Sequence, residues 1–282
     1  MKRFDEILHN GYSQSFDITR IIFHEKTEHQ ELVIFETPTF GRVMALDNIV
    51  QVTTRDEHVY HEMLTHVPLL AKGNVKDVLI IGGGDGGILR ETLRHASVQH
   101  ATLVELDRAV VDLSLEHFPD ISNGAFSDPR TDLIITDGVK FVAETDKRFD
   151  VVIVDSTDPV GPGEVLFTES FYADCHRCLK EGGVLVTQNG VPFFQGDEVT
   201  NTYQRMAKSF ADNSFYTAVV PTYIGGFMTL GWASDDAGLR HVDVETLRAR
   251  FAAAQIKCRY YTPDLHKAAF ALPQFILDLM RK

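Results

Sequence analysis

Five short apolar segments that follow Val75 constrain the fold most strongly. They read "DVLIIG", "HATLVELD", "TDLIITDG", "FDVVIVDS" and "GVLVTQNG", and helix-like stretches separate them. Near-continuous apolar runs are typical of strands buried on both faces of a parallel sheet. Two later segments, "FYTAVVPTY" and "FMTLGWASD", lie close together across "IGG" and predict an antiparallel hairpin. We therefore predict five parallel strands with an antiparallel pair at one edge of the sheet.

The chain before these segments predicts a different kind of sheet. "ELVIFETPTFGRVMALDNIVQVTT" alternates apolar and polar residues and breaks at Pro38, Gly41 and "DN", as antiparallel hairpins do. "RDEHVYHEMLTHVPLLAK" then predicts a helix that ends near Pro68. The predicted fold class is α/β: a Rossmann-like, methyltransferase-type, mainly parallel sheet (residues 56–282) with a small N-terminal antiparallel β domain (residues 1–55).

Composition narrows the possible functions. The chain has 27 basic and 40 acidic residues and a formal net charge of -13, which argues against nucleic-acid binding and suits a cationic small substrate without demonstrating one. No apolar run approaches the roughly 20 residues that span a bilayer, and the start has no apolar stretch typical of a signal peptide. We expect a cytoplasmic protein that does not bind membranes.

The pair Cys175 and Cys178 forms a C-x-x-C inside an apparent helix, "TESFYADCHRCLK". A zinc ribbon would need a second pair of cysteines, and a redox motif would open a helix. We expect ordinary core or surface thiols here.

An acidic residue interrupts the glycine-rich turn after the first apolar segment. Gly82 to Gly87 read "GGGDGG", which satisfies G-x-G-x-x-G and allows a tight turn close to a ligand. Asp85 stands where a phosphate would lie, and a carboxylate there would repel it. Asp85 is therefore a turn residue or helix cap, or else it meets a cationic ligand.

Acidic residues also follow the next two strands. Glu105 comes 18 residues after Gly87, close to the spacing at which a carboxylate accepts hydrogen bonds from both ribose hydroxyls. The alternative is an exposed acid at the end of a strand. Asp137 either caps the next helix or accepts a hydrogen bond from an adenine amino group.

The segment "DSTDPVGPGEVLF" after the fourth strand is the most informative. Its "DP" and "GPG" are ordinary turn chemistry, yet Asp155 and Asp158 place two carboxylates near Asp85 with no basic residue in either loop. Clustered carboxylates repel one another unless a cation neutralises them. This arrangement suits an amine, and S-adenosyl compounds combine a nucleoside with such a positively charged tail.

At this point the chain resembles the polyamine aminopropyltransferases, and most closely the bacterial spermidine synthases. The motifs that carry the resemblance include "HEKTEHQ", "FGRVMALDNIVQVTTRDEHVYHEM", "VLIIGGGDGG", "VELD", "DSTDPVGPGEVLF" and "PTYIGG". The resemblance implies transfer of the aminopropyl group of decarboxylated S-adenosylmethionine to putrescine, which gives spermidine and 5′-methylthioadenosine. It also implies a homodimer or homotetramer with no metal and no tightly bound cofactor.

The resemblance assigns roles to individual residues, with Asp155 as the catalytic proton acceptor. The residues that resemble the nucleoside-binding set are Gln30, Gln51, Glu105, Asp137, Gly138 and Pro162. Those that resemble the polyamine and aminopropyl set are Tyr60, His61, Asp85, Asp155, Ser156, Thr157, Asp158 and Tyr223. At His61 the contact is through backbone or side chain. Relatives often carry alanine at the position of Gly87, and we expect this difference to be harmless.

Two alternatives remain from the sequence. A small-molecule methyltransferase that uses ordinary S-adenosylmethionine would share the fold, because fold does not determine function. A polyamine-binding protein without catalytic activity would share the acidic residues. The acceptor among putrescine, cadaverine, agmatine and longer polyamines also stays open.

Overall fold

The computed structural model describes residues 2–27, 29–156 and 166–282. The predicted site residues Thr157, Asp158 and Pro162 lie outside the described residues.

The N-terminal part forms two antiparallel sheets. A hairpin pairs β1 (Lys2–His9) with β2 (Tyr12–Ile18), and a four-stranded sheet joins β3 (Arg20–Lys26), β4 (Glu31–Thr37), β5 (Gly41–Leu46) and β6 (Ile49–Thr53) in that order. Between β5 and β6, Asp47 and Asn48 both have positive φ, 48° and 64°, which suits a tight hairpin turn. The four-stranded sheet matches the predicted alternation, whereas the β1–β2 hairpin was not predicted as strands.

The rest of the described chain builds a seven-stranded sheet. Its strands are β7 (Asp77–Gly82), β8 (His100–Glu105), β9 (Thr131–Ile135), β10 (Phe149–Asp155), β11 (Leu179–Gln188), β12 (Asp212–Ala218) and β13 (Met228–Ser234). The order is β12-β13-β11-β10-β7-β8-β9, and only the pairings of β13 with β11 and β12 are antiparallel. Five parallel strands with an antiparallel pair at one edge are as predicted. Because the chain leaves β7 towards β8 on one side and β10 lies on the other, the switch in strand order falls between β7 and β10.

Helices cover both faces of this sheet. They are α1 (Glu57–Lys72), α2 (Gly87–Leu93), α3 (Arg108–His117), α4 (Pro119–Ser122), α5 (Gly138–Glu144), α6 (Glu169–Cys178), α7 (Gly196–Met206), α8 (Val244–Ala254), α9 (Pro263–Ala269) and α10 (Gln274–Leu279). Along β7, Val78 and Ile80 pack into the core under α1 and α2, whereas Leu79 and Ile81 pack into the core under α5 and α6. The central strands are apolar throughout because both of their faces are buried.

Helix α1 corrects one prediction, because it runs through Pro68 and ends at Lys72. Proline removes one hydrogen bond from a helix interior. Here Leu69 and Leu70, which follow it, are buried in the core, and that packing favours continuation of the helix. The helix ends at Gly73, whose φ of 67° is left-handed and whose N–H donates to Leu69 O at 2.9 Å.

Three smaller observations complete the fold. Cys175 and Cys178 are free and buried on α6, as expected for core thiols. The proposed domain boundary between residues 55 and 56 falls in the connection from β6 to α1. In the described part of the chain, no helix is both long enough and apolar enough to cross a membrane.

Candidate active site

A cavity of about 220 Å³ lies where the carboxyl ends of β7, β8 and β10 meet the N-terminal sheets. The sequence predicted most of the polar residues that line it. The predicted residues on its wall are Gln30, Gln51, Tyr60, His61, Asp85, Glu105, Asp137, Gly138, Asp155, Ser156 and Tyr223. Every predicted site residue that the structure describes therefore lies in one place.

The glycine-rich turn brings the ends of β7 and β10 into direct contact. Gly82 pairs with Asp155 across the sheet and has a φ of 80°, and a Cβ on Gly82 would lie only 2.0 Å from the Asp155 carbonyl oxygen. A Cβ on Gly83 would lie 3.2 Å from Asp155 Oδ2. The first glycines of the turn thus allow the Asp155 carboxylate to stand beside the backbone at the mouth of β7.

Asp85 fulfils the turn role that was one of its two interpretations. Its Oδ1 accepts a hydrogen bond from Gly87 N at 2.7 Å, at the start of α2. Its Oδ2 lies 3.2 Å from His61 Nε2, and its side chain is 13% exposed, on the cavity wall. The turn interpretation is confirmed by this hydrogen bond. The carboxylate still lies at the cavity, so the turn role and a contact with a cationic ligand do not exclude each other.

His61 is held between two carboxylates. Its Nδ1 lies 2.7 Å from Glu57 Oε2, one turn earlier in α1, and its Nε2 faces Asp85. Burial alone would lower the pKa of His61, but Asp85 and Glu57 raise it to about 10. A Cβ on Gly87 would lie 2.1 Å from His61 Nδ1. Glycine at position 87 therefore leaves room for the observed ring, and the expectation that this difference from relatives is harmless stays a prediction.

Asp155 is a carboxylate on the cavity wall that has a raised pKa. Tyr60 donates its hydroxyl hydrogen bond to Asp155 Oδ1 at 2.5 Å. Burial and the nearby Asp85 charge raise the pKa of Asp155 to about 6, although the Tyr60 hydrogen bond and the His61 charge oppose that rise. At pH 7 to 8 the group is therefore mostly ionised yet basic enough to accept a proton.

Two tyrosines form one wall beside Asp155. The rings of Tyr60 and Tyr223 meet edge to face, with centroids 5.9 Å apart. The Tyr223 hydroxyl donates to Gln51 O at 2.5 Å, which ties the connection between β12 and β13 to β6 of the N-terminal sheet. Aromatic faces of this kind suit an alkyl chain that bears ammonium groups.

The strand-end acids differ in how they are held. Glu105 is buried, which raises its pKa to about 7, although backbone N–H groups of Leu106 and Asp107 oppose the rise. The alternative of an exposed strand-end acid is therefore wrong. Asp137 accepts from Val139 N at 2.8 Å and caps α5, so the cap interpretation is confirmed, and Asp137 also lies on the cavity wall.

Asp107 is a site residue that the sequence analysis missed. Its Oδ1 caps α3 through Ala109 N at 2.9 Å, and its Oδ2 accepts from Thr27 Oγ1 at 2.8 Å and from Gln30 Nε2 at 3.2 Å. Asp107 thereby fixes Gln30 on the cavity wall. The motif "VELD" contained this residue, but only its Glu105 had a recognisable spacing.

Glu6 and Ser156 also line the cavity. Glu6 is buried, accepts from Val50 N at 2.7 Å, and lines the cavity from β1, a strand that was not predicted. Ser156 is also buried, and its Oγ has no hydrogen-bond partner among the described residues.

The charged groups of the wall are mainly carboxylates, with the His61 imidazolium among them. Of its described residues, six carry carboxyl groups and none is lysine or arginine: Glu6, Asp85, Glu105, Asp107, Asp137 and Asp155. Within residues 2–27, 29–156 and 166–282, no group of three or more histidine, cysteine or acidic side chains is arranged to hold a metal ion. The cavity thus favours a ligand that is positively charged and rich in hydrogen-bond donors.

Comparison with known proteins decides the family. Residues 57–245 match the spermine/spermidine synthase domain, and residues 3–54 match the spermidine synthase tetramerisation domain. The chain belongs to the spermine/spermidine synthase family. The second match also supports the predicted homo-oligomer.

Relatives of this family cover the chain from end to end. The polyamine aminopropyltransferase 1 of Pseudomonas aeruginosa is 57% identical over 100% of this chain and 99% of its own length. The polyamine aminopropyltransferase of Pectobacterium carotovorum is 55% identical over 98% of this chain and 96% of its own. These matches confirm the family that the motifs predicted.

Solved structures of the family have the same fold. A spermidine synthase in complex with the transition-state analogue AdoDATO has a TM-score of 0.94 and 37% identity, and the match covers 99% of this chain and 95% of that one. The spermidine synthase of Thermotoga maritima has a TM-score of 0.93 and 37% identity, over 100% of this chain and 94% of that one. The predicted fold class is confirmed, whereas the roles of single residues stay predictions.

Proposed function

We propose that this chain is a spermidine synthase, which transfers the aminopropyl group of decarboxylated S-adenosylmethionine to putrescine and releases spermidine and 5′-methylthioadenosine. The observation that carries the proposal is the carboxylate-lined cavity, whose described wall has neither lysine nor arginine. Both substrates are cations that carry donors, so both gain from such a wall.

The adenosine part of the donor fits the cavity near β8 and β9. We assign the ribose hydroxyls to Glu105, whose carboxylate accepts from both when it is ionised. Asp137 and Gly138 at the start of α5 are assigned to the adenine, with Gln30 and Gln51 on the side of the N-terminal sheets. Pro162, outside the described residues, is assigned to the adenine pocket by family resemblance only.

The reacting ends fit the neighbouring part of the cavity. Asp85 is assigned to the aminopropyl ammonium, and Tyr60 and Tyr223 to the polyamine chain. Asp155, between Asp85 and Tyr60, is assigned to the attacking amine. Ser156 adjoins it, and Thr157 and Asp158 keep the assignment that the family resemblance gives them.

The proposed chemistry is an in-line displacement. The putrescine nitrogen attacks the methylene carbon next to the sulfonium, a C–N bond forms, the C–S bond breaks, and sulfur takes the electron pair as neutral methylthioadenosine leaves. The sulfonium needs no acid, but an alkyl amine with a pKa of about 10 is protonated at neutral pH. Asp155 accepts the proton, and the rest of the acceleration comes from holding two cations in line.

Specificity against ordinary S-adenosylmethionine follows from the same charges. That molecule carries a carboxylate beside its amine, and Asp85 and Asp155 would repel it. We propose a dimer or tetramer in the cytoplasm, with no metal and no tightly bound cofactor, so the donor acts as a co-substrate.

One incubation tests the proposal. The purified oligomer is given decarboxylated S-adenosylmethionine with putrescine, and methylthioadenosine and spermidine are measured by chromatography. We expect both products in equal amounts. Parallel incubations replace putrescine with cadaverine, agmatine or spermidine to compare these amines as acceptors. Methylated product from ordinary S-adenosylmethionine, or no product from the decarboxylated donor, would refute it in favour of a methyltransferase or a binding protein.

A further inference from the structure

A row of four charged side chains runs from α2 to the cavity. Arg90 Nη2 lies 2.9 Å from Glu57 Oε2, the same oxygen lies 2.7 Å from His61 Nδ1, and His61 Nε2 lies 3.2 Å from Asp85 Oδ2. No side chain in the row is more than 15% exposed. Of the four, only His61 and Asp85 reach the cavity wall, so Glu57 and Arg90 have no direct contact with a ligand there.

The geometry fixes the protonation of His61. A neutral imidazole donates from one nitrogen only, whereas each His61 nitrogen faces a carboxylate oxygen that can only accept. The imidazolium satisfies both partners at once. The charged and titratable groups that face His61 are Glu57 on its own helix, Arg90 on α2, Asp85 in the glycine-rich turn, and Tyr60 and Asp155 beside the cavity.

The far end of the row is anchored as well. The Arg90 guanidinium donates to Glu91 Oε1 at 2.8 Å and to Ile121 O at 2.7 Å, in addition to Glu57. Its position is thus set by α2 and α4 together. The pKa of Glu57 falls to about 2, because hydrogen bonds and charges from His61 and Arg90 outweigh the effect of burial, which would raise it.

The near end is fixed at both oxygens. Asp85 Oδ1 is held by Gly87 N, and Oδ2 by His61. The carboxylate plane therefore has one orientation, and its remaining lone pairs are free for a donor in the cavity. An acceptor fixed in advance binds a cation without the entropy loss of ordering a mobile side chain.

We propose that Glu57 and Arg90 are positioning residues, which hold the His61 imidazolium against Asp85 so that this carboxylate is oriented for the ammonium of the aminopropyl donor. This inference rests on the proposed function. It also gives the His61 side chain a role through Asp85. The row carries two positive and two negative charges, so the His61 imidazolium offsets the negative charge of Asp85 next to the cavity.

Two isosteric variants separate the hydrogen bonds of His61. The amide nitrogen of Gln overlaps His Nε2, so His61→Gln keeps a donor towards Asp85, whereas His61→Asn keeps one towards Glu57 only. We expect His61→Asn to weaken the binding of decarboxylated S-adenosylmethionine by roughly 10-fold or more, which corresponds to the loss of a hydrogen bond to a charged group. The affinity for methylthioadenosine, which lacks the ammonium, should change by less than about 2-fold.

Glu57→Gln tests the remote residue without touching the cavity. It removes the charge that supports the imidazolium, so the affinity for decarboxylated S-adenosylmethionine should again fall more than the affinity for methylthioadenosine. Glu169→Gln is the matched control, because Glu169 also lies in a first helical turn and pairs with Lys208 at 2.6 Å, but on the surface. It should bind both ligands as the wild type does.

Calorimetric titration of the full-length oligomer with both ligands gives these affinities. Nitrogen NMR of the ligand-free protein reports His61 directly, and we expect imidazolium shifts at both nitrogens from pH 6 to 9 in the wild type. In Glu57→Gln the ring should titrate within that range. A neutral His61 in the wild type at pH 7 would overturn the proposal, even if the variants did not fold.

The binding data give two further contrary outcomes. Equal losses for both ligands would mean that the row only supports the fold. Equal losses in His61→Gln and His61→Asn would mean that the donor towards Asp85 is irrelevant. A wild type that makes no methylthioadenosine would instead refute the proposed function, and the NMR result would still stand by itself.

Discussion

Asp155 is a partly buried acid whose charge the proposed mechanism requires, so Asp155→Asn should stabilise the fold while it removes activity. The pKa of Asp155 rises from an ordinary value of 3.8 to about 6 through burial and the Asp85 charge. A raised pKa means that the folded state binds the proton more tightly than the unfolded chain. The extra free energy of unfolding that this tighter proton binding contributes is fully present below pH 3.8 and is lost as the pH rises through 6.

The magnitude follows from linkage. Relative to a carboxyl with an ordinary pKa, ionising Asp155 in the folded protein costs roughly 1–2 kcal/mol at pH 5 and about 3 kcal/mol at pH 8. Asparagine carries no charge at either pH and still offers an oxygen to the Tyr60 hydroxyl. The free energy of unfolding of Asp155→Asn, relative to the wild type, should thus be about 1–2 kcal/mol higher at pH 8 than at pH 5.

Urea unfolding at a fixed protomer concentration measures this difference, because oligomer stability depends on concentration. Turnover of the same samples should fall by about 10²–10⁴-fold, as when a general base is lost. Asp128→Asn is the control of opposite sign. The Arg130 hydrogen bond lowers the pKa of Asp128 to about 2, so removal of this carboxylate should destabilise the folded protein equally at pH 5 and pH 8.

A stability gain in Asp155→Asn that is the same at pH 5 and pH 8 would refute the argument from burial. Turnover above half of the wild-type value would remove Asp155 from the mechanism. The two results are independent, so each can fail without the other.

Three further predictions concern the neighbouring groups. Asp85→Asn should weaken decarboxylated S-adenosylmethionine by roughly 1.5–3 kcal/mol more than methylthioadenosine, and equal losses in calorimetry would mean that Asp85 only shapes its turn. Because the pKa of Glu105 is raised to about 7, the wild type should bind methylthioadenosine more tightly at pH 8 than at pH 6. Glu105→Gln should bind it weakly at both pH values, and a wild-type affinity that does not change with pH would contradict this. Tyr60→Phe removes a hydrogen bond that lowers the pKa of Asp155, so the acidic limb of the kcat/KM profile should move to higher pH, and an unchanged limb would exclude that coupling.

The sheet was predictable because its signal is local. Each apolar run from "DVLIIG" to "GVLVTQNG" overlaps a strand of the observed sheet, and burial of the central strands on both faces requires such runs. The β1–β2 hairpin gave no comparable signal, because one face of β1 is exposed and only Phe4 and Glu6 are buried among its eight residues. Pro68 misled the helix prediction, since buried packing outweighed a local preference.

The site was predictable where a residue type and a strand end coincided. Glu105 and Asp155 end their strands, and Asp85 and Asp137 follow theirs, so all four lie where the carboxyl ends meet at one edge of the sheet. The contact between His61 and Asp85 depends on how α1 packs on the glycine-rich turn, and no spacing in the sequence reports that distance.

The hydrogen bonds between the two parts of the chain limit how this enzyme can be recombined with its relatives. Gln30 is held by Asp107, and Tyr223 is held by the backbone of Gln51, so each part completes the other's wall of the cavity. A chimaera joined near residue 55 would lose these matched contacts and misplace side chains on either side of the junction. Successful exchanges should therefore transfer matched pairs of surfaces, and the N-terminal sheets should diverge in step with the loops that they contact.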